Sequence, residues 1–265
     1  CGIIALMNLG LILPLYFKIP PHYQAYPLFK TGGNPHSTHP RVYRALLANV
    51  LQSNQEYERV RKLIQMTDPD LILLIEVNHT WIEQLKTQLD PYPHSLKPLR
   101  EDNYGMGLFS RIPFDWAEVI EFGSAKVPSV VARLNLNGKS LTVIGTHPPP
   151  PKRLWMARQR NEQLSDIANY VASLPGPLML LGDLNITSWS PHFQDLLRTG
   201  KLADSRQGWG LQPSWPVDRL PFLVPIDHIL VSRGIAIHRR WLGPFIGSDH
   251  FPVLVEFSLL PDSLI

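Results

Sequence analysis

Several short runs carry side chains able to do hydrolytic chemistry, and each stands beside an apolar segment. Glu76 follows Leu71-Ile72-Leu73-Leu74-Ile75, and His147 follows Leu141-Thr142-Val143-Ile144-Gly145-Thr146. Gly182-Asp183-Leu184-Asn185 follows Leu178-Met179-Leu180-Leu181. Asp227 lies in Pro225-Ile226-Asp227-His228-Ile229-Leu230, and Ser248-Asp249-His250 precedes Pro252-Val253-Leu254-Val255. A buried strand that ends in a carboxylate, an amide or an imidazole delivers that group to one edge of a sheet. Carboxylates with Asn and His form a hard, oxygen-rich set with an acid/base partner. That set suits Mg²⁺ or Mn²⁺ and a phosphate ester, not zinc held by thiolates.

Each run also has a plainer reading. Asp183 and Asn185 are two residues apart, so on an extended segment both point to one side. One can orient a water while the other bonds a phosphate oxygen; alternatively both are turn formers. Asp249-His250 offers a carboxylate beside a group that exchanges protons near neutral pH, or an exposed loop. Asp227 interrupts an apolar strand and needs a partner. The natural one is an imidazole whose tautomer it fixes. His228 points to the opposite face and reads as a packed core histidine. Glu76 reads as one of few protein ligands to a metal that keeps several waters, or as a charge ahead of a helix at Asn78. His147 precedes Pro148-Pro149-Pro150-Pro151, a stiff loop that would hold the ring still.

The elements that must position these groups alternate from about Arg41 onward. Strands are expected at Val42 to Val50, ending in Asn49, and at Leu71 to Val77. A strand series follows around Tyr92 to Leu96, Met106 to Ser110, Trp116 to Phe122, Ser129 to Leu136 and Ser140 to Thr146. Pro177 to Gly182, Ile226 to Val231, Ile235 to Trp241 and Val253 to Leu259 complete the set. Helices are expected at Gln55 to Met66, His79 to Leu89, Arg153 to Ala172 and Pro191 to Thr199. Asn137-Gly138 is a two-residue hairpin signal. Helices interleaved with both isolated strands and a meander point to an α/β four-layer sandwich: two mixed β-sheets packed face to face with helices outside. No glycine loop of the P-loop or dinucleotide type is present.

The chain has 265 residues, 44% hydrophobic and 18% charged, which is globular composition. A net charge of +3 is compatible with an anionic substrate but far too small to establish nucleic-acid binding. The single cysteine, Cys1, excludes an intramolecular disulfide, a zinc finger and a cysteine nucleophile in the body. Residues 1–17 carry no charge and are mostly apolar, and the numbering starts at Cys1 rather than Met. They read as part of a transmembrane helix or anchor. Other readings are a signal-peptide remnant, an acylated Cys1, or an apolar helix packed on the domain. Residues 18–40, rich in Pro, His and Gly, read as a linker, and residues 41–265 as the catalytic domain. The expectation is a monomeric catalytic domain held at a membrane and facing the periplasm or the exterior.

Taken in order, Asn49, Glu76, Gly105-Met106-Gly107-Leu108-Phe109-Ser110-Arg111, Thr146-His147-Pro148, Gly182-Asp183-Leu184-Asn185, Ile226-Asp227-His228 and Ser248-Asp249-His250 resemble the endonuclease/exonuclease/phosphatase superfamily. The resemblance spans about Arg41 to Leu260. It is strongest to bacterial membrane-tethered members of unassigned substrate, which share Thr-His-Pro followed by prolines and a Trp-Ser, here Trp189-Ser190. It implies that Glu76 binds the metal, helped by Asn49 and Asp249. It implies that Asp183 aligns or deprotonates the attacking water and that Asn185 contacts the scissile phosphate. His250, held by Asp227, would stabilise or protonate the phosphoryl group, with His147 stabilising charge from the other side. The partner that orients His147 is open, with Asp102, Asn103 and Tyr104 as candidates. The implied activity is Mg²⁺- or Mn²⁺-dependent hydrolysis of a phosphodiester or nucleic acid by in-line attack of water. A phospholipid headgroup diester, a phosphomonoester and a catalytically silent anchored binding module are the alternatives. For a nucleic acid, Trp209, Trp215, Arg206 and Arg219 are candidate contacts.

Overall fold

Branched apolar runs pair into sheets wherever both of their faces can be buried, and here almost every such run does so. The computed structural model describes Gly10, residues 12–17, 41–219 and 221–261. One sheet contains β1 (Tyr43–Asn49), β2 (Leu71–Ile75), β3 (His94–Leu96), β4 (Met106–Ser110), β11 (Ile235–Leu242) and β12 (Val253–Leu259), in the order β11-β12-β1-β2-β4-β3. The other contains β5 (Phe114–Glu121), β6 (Pro128–Leu136), β7 (Lys139–Thr146), β8 (Leu178–Asp183), β9 (Leu202–Asp204) and β10 (Asp227–Ser232), in the order β5-β6-β7-β8-β10-β9. Each sheet has one parallel pair, β1 with β2 and β7 with β8, among antiparallel neighbours. The helices are α1 (Tyr57–Thr67), α2 (His79–Leu89), α3 (Leu154–Ser173) and α4 (Pro191–Gly200).

The period-two alternation of the strands sorts the apolar residues into layers. Leu47, Leu73 and Ile75 from the first sheet meet Val130, Val143, Met179, Leu181 and Ile229 from the second in the central core. Their neighbours Leu46, Ile72 and Leu74 face outward onto Val60, Leu63, Trp81 and Leu85 of α1 and α2. Val131, Ile144 and Leu180 face outward onto Ile167, Val171, Phe193 and Leu196 of α3 and α4. The four-layer α/β sandwich is therefore as expected. The Asn137-Gly138 turn joins β6 to β7 with both residues at positive φ, 55° and 86°.

Two details were not legible locally. Strand β9 is three residues long, and its pairing with β10 makes it a strand. Tyr92 lies outside β3: its N–H donates to the Leu89 carbonyl at 2.9 Å in the turn after α2, and its hydroxyl donates to the Pro69 carbonyl at 2.8 Å.

Most of the expected anchor (1–9 and 11) and all of the linker 18–40 lie outside the described residues. Leu13–Tyr16 forms a 3-10 helix seated on the domain: Leu15 is buried and its carbonyl accepts from Gly210 N–H at 2.8 Å. No helix among the described residues is long and apolar enough to cross a membrane.

Behind β10 lies a buried ionic cluster. Asp204 accepts from Arg206 Nε and Nη2, and Arg240 Nε donates to Ser205 Oγ at 3.0 Å. Arg240 also reaches the Asp227 carbonyl at 3.5 Å. Burial alone would raise the Asp204 pKa, but the Arg206 guanidinium outweighs it and holds the carboxyl at about 2. Burial likewise pulls Arg240 down to about 9. Arg206, a candidate nucleic-acid contact from sequence, is fully enclosed in this cluster and cannot touch a ligand. Asp204→Asn leaves two guanidiniums buried with their near counter-charge removed, so it should cost about 3–5 kcal/mol in urea unfolding. Because the folded pKa is depressed, this contribution is present above the unfolded value near ~3.9 and fades as pH falls towards about 2. An unchanged urea midpoint in that variant would refute this account of the cluster.

Candidate active site

Strand ends from both sheets meet at one edge. Glu76 leaves β2 with φ at +62°, and Asn185 follows β8 with φ at +50°. Such left-handed geometry is unfavourable for a Glu, at about 1–2 kcal/mol, and occurs where the surrounding structure imposes it. Here it turns the Glu76 side chain to the sheet edge instead of continuing the strand. Two glycines of the sequence motifs serve close approach. A Cβ at Gly182 would lie 1.9 Å from the Thr146 carbonyl, and one at Gly105 would lie 2.0 Å from the Val77 carbonyl. Without a side chain at 182, β7 and β8 come near enough to set His147 beside Asp183. Below them Ser129 Oγ and Thr146 Oγ1 share a bond of 2.8 Å, and Gln163 of α3 donates to Thr146 Oγ1 at 3.0 Å.

A cavity of about 390 Å³ is lined by Glu76, His147, Asp183, Asn185, Asp249 and His250 together. Asn49 and Asp227 stand behind it. The Asn49 amide donates to Glu76 Oε1 at 3.0 Å and to Asp183 Oδ2 at 3.3 Å, while its oxygen accepts from Leu51 N–H. It thus links carboxylates from the two sheets. Asp183 pairs opposite Asp227 in the β8–β10 ladder. Its Oδ1 accepts from Asn185 N–H at 3.0 Å, and its Oδ2 lies 3.6 Å from Nε2 of both His147 and His250. The Asn185 amide donates to the Pro148 carbonyl at 3.0 Å, which ties it to the stiff proline loop. His250 Nδ1 lies 2.8 Å from Asp227 Oδ2, as the interrupted apolar strand implied. His228, on the other face, is buried against Phe193 with Nε2 2.8 Å from the Ile186 carbonyl, so it is a core residue.

The two site histidines have opposite charge states. Burial favours a neutral His250 ring, but the Asp227 and Asp183 carboxylates outweigh it and push the pKa up to about 10. Burial, reinforced by the positive His250, pushes His147 down to about 4. One imidazole is therefore a cation at neutral pH and the other a neutral ring. Burial also raises Glu76, and raises Asp183 to about 7. The Asp227 pKa is lowered instead: its burial is outweighed by the charged His250.

Three side chains, Asp183, Asp227 and His250, bring ligand atoms within 4.8 Å of one another. Their bonding argues against this trio as a metal cage, since His250 is protonated and already bonded to Asp227. Glu76, Asp183 and Asp249 are the better oxygen set. No Lys or Arg bonds any of them among the described residues, so these acids are short of positive charge. That deficit fits a hard divalent cation.

Three further neighbours complete the cleft, and of these only Arg160 had no candidate role from sequence. Tyr104 packs its ring 5.6 Å from His147 and lines the cavity with Asn103. Trp215 Nε1 donates to Asp249 Oδ2 at 2.9 Å, fixing a carboxylate that is otherwise partly exposed. Arg160 of α3 donates to the Asn185 carbonyl at 2.8 Å. Tyr104 and Trp215 were both visible as candidates, Tyr104 as a partner for His147 and Trp215 as a contact for a nucleic acid. Arg160, one of several charged residues on a helix, carried no such signal.

Residues 42–250 match the model of the endonuclease/exonuclease/phosphatase family. The chain belongs to this family. It is a metal-dependent phosphoester hydrolase, as members of the family are. Among solved structures, a D. rerio TDP2 complexed with a single-strand DNA product is similar at 16% identity and TM-score 0.71, over 82% of this chain and 99% of that one. An endonuclease/exonuclease/phosphatase from Beutenbergia cavernae DSM 12333 is 20% identical with TM-score 0.65, over 83% and 72%. Sphingomyelinase C from Streptomyces griseocarneus is 19% identical with TM-score 0.61, over 82% and 99%. No curated protein sequence matches.

The charge states give a pH profile. The value of kcat/KM should rise as Asp183 loses its proton, on a limb below about pH 7 because a bound cation favours the carboxylate. It should fall again as His250 loses its proton towards about pH 10. In Asp227→Asn an anion that holds the His250 proton is gone, so the alkaline limb should move to lower pH. A limb that stays in place would show that Asp227 does not set the charge of His250.

Proposed function

We propose that this enzyme hydrolyses a phosphodiester in the presence of Mg²⁺ or Mn²⁺. The observation that carries the reading is Asp183 Oδ2 placed 3.6 Å from both His147 Nε2 and His250 Nε2, in a cavity rimmed by Glu76 and Asp249. Glu76, Asp249 and Asp183 would hold the ion, with Asn49 setting the distance between carboxylates of the two sheets. The bound ion supplies Lewis-acid stabilisation of charge on phosphate oxygens.

The protein groups do the rest. Asp183, held by Asn185 N–H, orients a water and takes its proton. The Asn185 amide faces a non-bridging oxygen. His250, cationic through Asp227, offers its Nε2 proton to the phosphoryl group or the leaving oxygen. His147, neutral, stabilises the opposite side by a dipole rather than a charge. Water attacks phosphorus in line, one P–O bond forms as the other breaks, and no covalent intermediate is formed.

A nucleic-acid strand is the first substrate reading, in keeping with the DNA product of the TDP2 structure. A phospholipid headgroup diester is the second. It is favoured by Leu154 and Trp155, 83% and 55% exposed next to the cleft loop that carries Lys152. The apolar, uncharged run ahead of Leu13 supports a membrane tether, with a monomeric catalytic domain outside the cytoplasm of a bacterium. Retention of the full chain in carbonate-washed membranes is the expected result, and quantitative release would remove the tether from the proposal.

Hydrolysis of bis-p-nitrophenyl phosphate is expected with Mg²⁺ or Mn²⁺ and should stop with EDTA. Asp183→Ala should lower kcat by about 10²–10⁴-fold with the fold intact by circular dichroism. Full turnover in that variant would sink the assignment of Asp183.

A further inference from the structure

The catalytic cavity opens into a second cavity of about 520 Å³. The two share Pro150, Lys152, Asn185, Trp215 and Ile226. They differ in their acids. Glu76, Asp183 and Asp249 line the first, while no carboxylate lines the second. The polar groups of the second are Lys152, Arg160, Asn185 and the hydroxyls of Thr187 and Ser190.

Arg160 is half-buried on α3. Its Nε and Nη2 donate to Asn161 Oδ1 at 3.0 and 2.7 Å, and its Nη1 to the Asn185 carbonyl at 2.8 Å. These bonds use three of the five guanidinium N–H groups and leave one on each terminal nitrogen. No carboxylate among the described residues bonds it, and burial lowers its pKa. A cation so placed gains from an anion that enters the cavity. Lys152 stands exposed where the linings of the two cavities overlap, and no carboxylate among the described residues bonds it. Ser190 caps α4 through its carbonyl, which accepts from Phe193 and Gln194 N–H, while its hydroxyl makes no cap bond and is open to a ligand. The terminal N–H pair of a guanidinium matches two oxygens of a phosphate. The facing wall is apolar, built from Pro151, Ile186, Val224 and Ile226 with Trp215.

We propose that the second cavity binds a second phosphate of the substrate, one linkage from the scissile one, with the intervening unit lying on Pro150, Trp215 and Ile226. Arg160 contacts the main chain of Asn185, whose side chain belongs to the reaction centre, so the two anion positions are neighbours. The inference rests on the phosphodiesterase reading and narrows it to diesters with consecutive phosphates, as in a single nucleic-acid strand. A lipid diester with one phosphate leaves Arg160 without an anion.

The test is calorimetric titration of the full chain carrying Asp183→Asn, in Mg²⁺, so that binding is read without turnover. Thymidine 3′,5′-bisphosphate should bind about tenfold more tightly than thymidine 5′-monophosphate, the worth of one charge-assisted phosphate contact. Adding Arg160→Gln should reduce this ratio to below about threefold, and Arg160→Lys should keep part of it. A ratio cancels any general effect of moving Asn185. Lys152→Gln, at an exposed position that does not threaten folding, should reduce the ratio about two- to threefold. Equal affinity for the two nucleotides, or a ratio that survives Arg160→Gln, overturns the proposal. So does dihexanoylphosphatidylcholine binding as tightly as the bisphosphate. A bisphosphate preference that persists while bis-p-nitrophenyl phosphate is not cleaved would keep this site and reject the reaction.

Discussion

Three carboxylates, Glu76 from one sheet and Asp183 and Asp227 from the other, are buried at one edge of the sandwich, where water screens them little and their mutual repulsion is strong. The rest of the site answers that constraint. His250 supplies one positive charge and is held by Asp227. Asn49 supplies two N–H bonds and joins Glu76 of one sheet to Asp183 of the other. The raised Asp183 and Glu76 pKa values mark the charge these contacts leave unbalanced. A metal-dependent hydrolase can tolerate that imbalance in the free protein because the cation it uses removes it.

The sandwich makes this concentration of charge affordable. Each sheet buries both faces in apolar contacts, so polar groups are driven to the strand ends. The two strands of each parallel pair, β1–β2 and β7–β8, run the same way, and their C-terminal ends deliver Asn49, Glu76, His147 and Asp183 to one place. The approach is close because residue 182 has no side chain. The Asp204, Arg206 and Arg240 cluster supports β10 from behind through the Asp227 carbonyl, so a stabilising ion network lies directly under the residue that charges His250.

Beyond the reaction centre the surface changes sign. The proline loop after His147, the segment after Asn185 and Trp215 together wall a cavity that has cations and no carboxylates. A phosphodiester passing from one cavity to the other would meet an acid-lined pole suited to a metal and then a basic pole suited to an anion. Trp215 stands at the boundary. It was anticipated as a stacking surface, and it also fixes Asp249 through its indole N–H, which couples the shape of the cleft to the position of a carboxylate.

How much of this was legible in the sequence follows from the range of the forces involved. Strand and helix identities, the Asn137-Gly138 turn, the two-sheet architecture and the listing of acids and imidazoles at strand ends are local: they follow from periodicity, propensity and motif order. That Asp227 needs an imidazole partner was also inferable, since an acid in an apolar strand must find one, and the family resemblance implied His250 as that partner. Charge states were not, because they depend on what burial and neighbours bring together across the two sheets; nothing local distinguishes a neutral His147 from a cationic His250. The same limit hid β9, the enclosure of Arg206 and the role of Arg160. The sequence by itself determined which groups exist and which layer each strand faces, through short-range sterics and hydrophobic alternation. Only the tertiary structure decided their distances, their protonation and the division of the cleft into acidic and basic halves, because Coulomb interactions and desolvation act through space rather than along the chain.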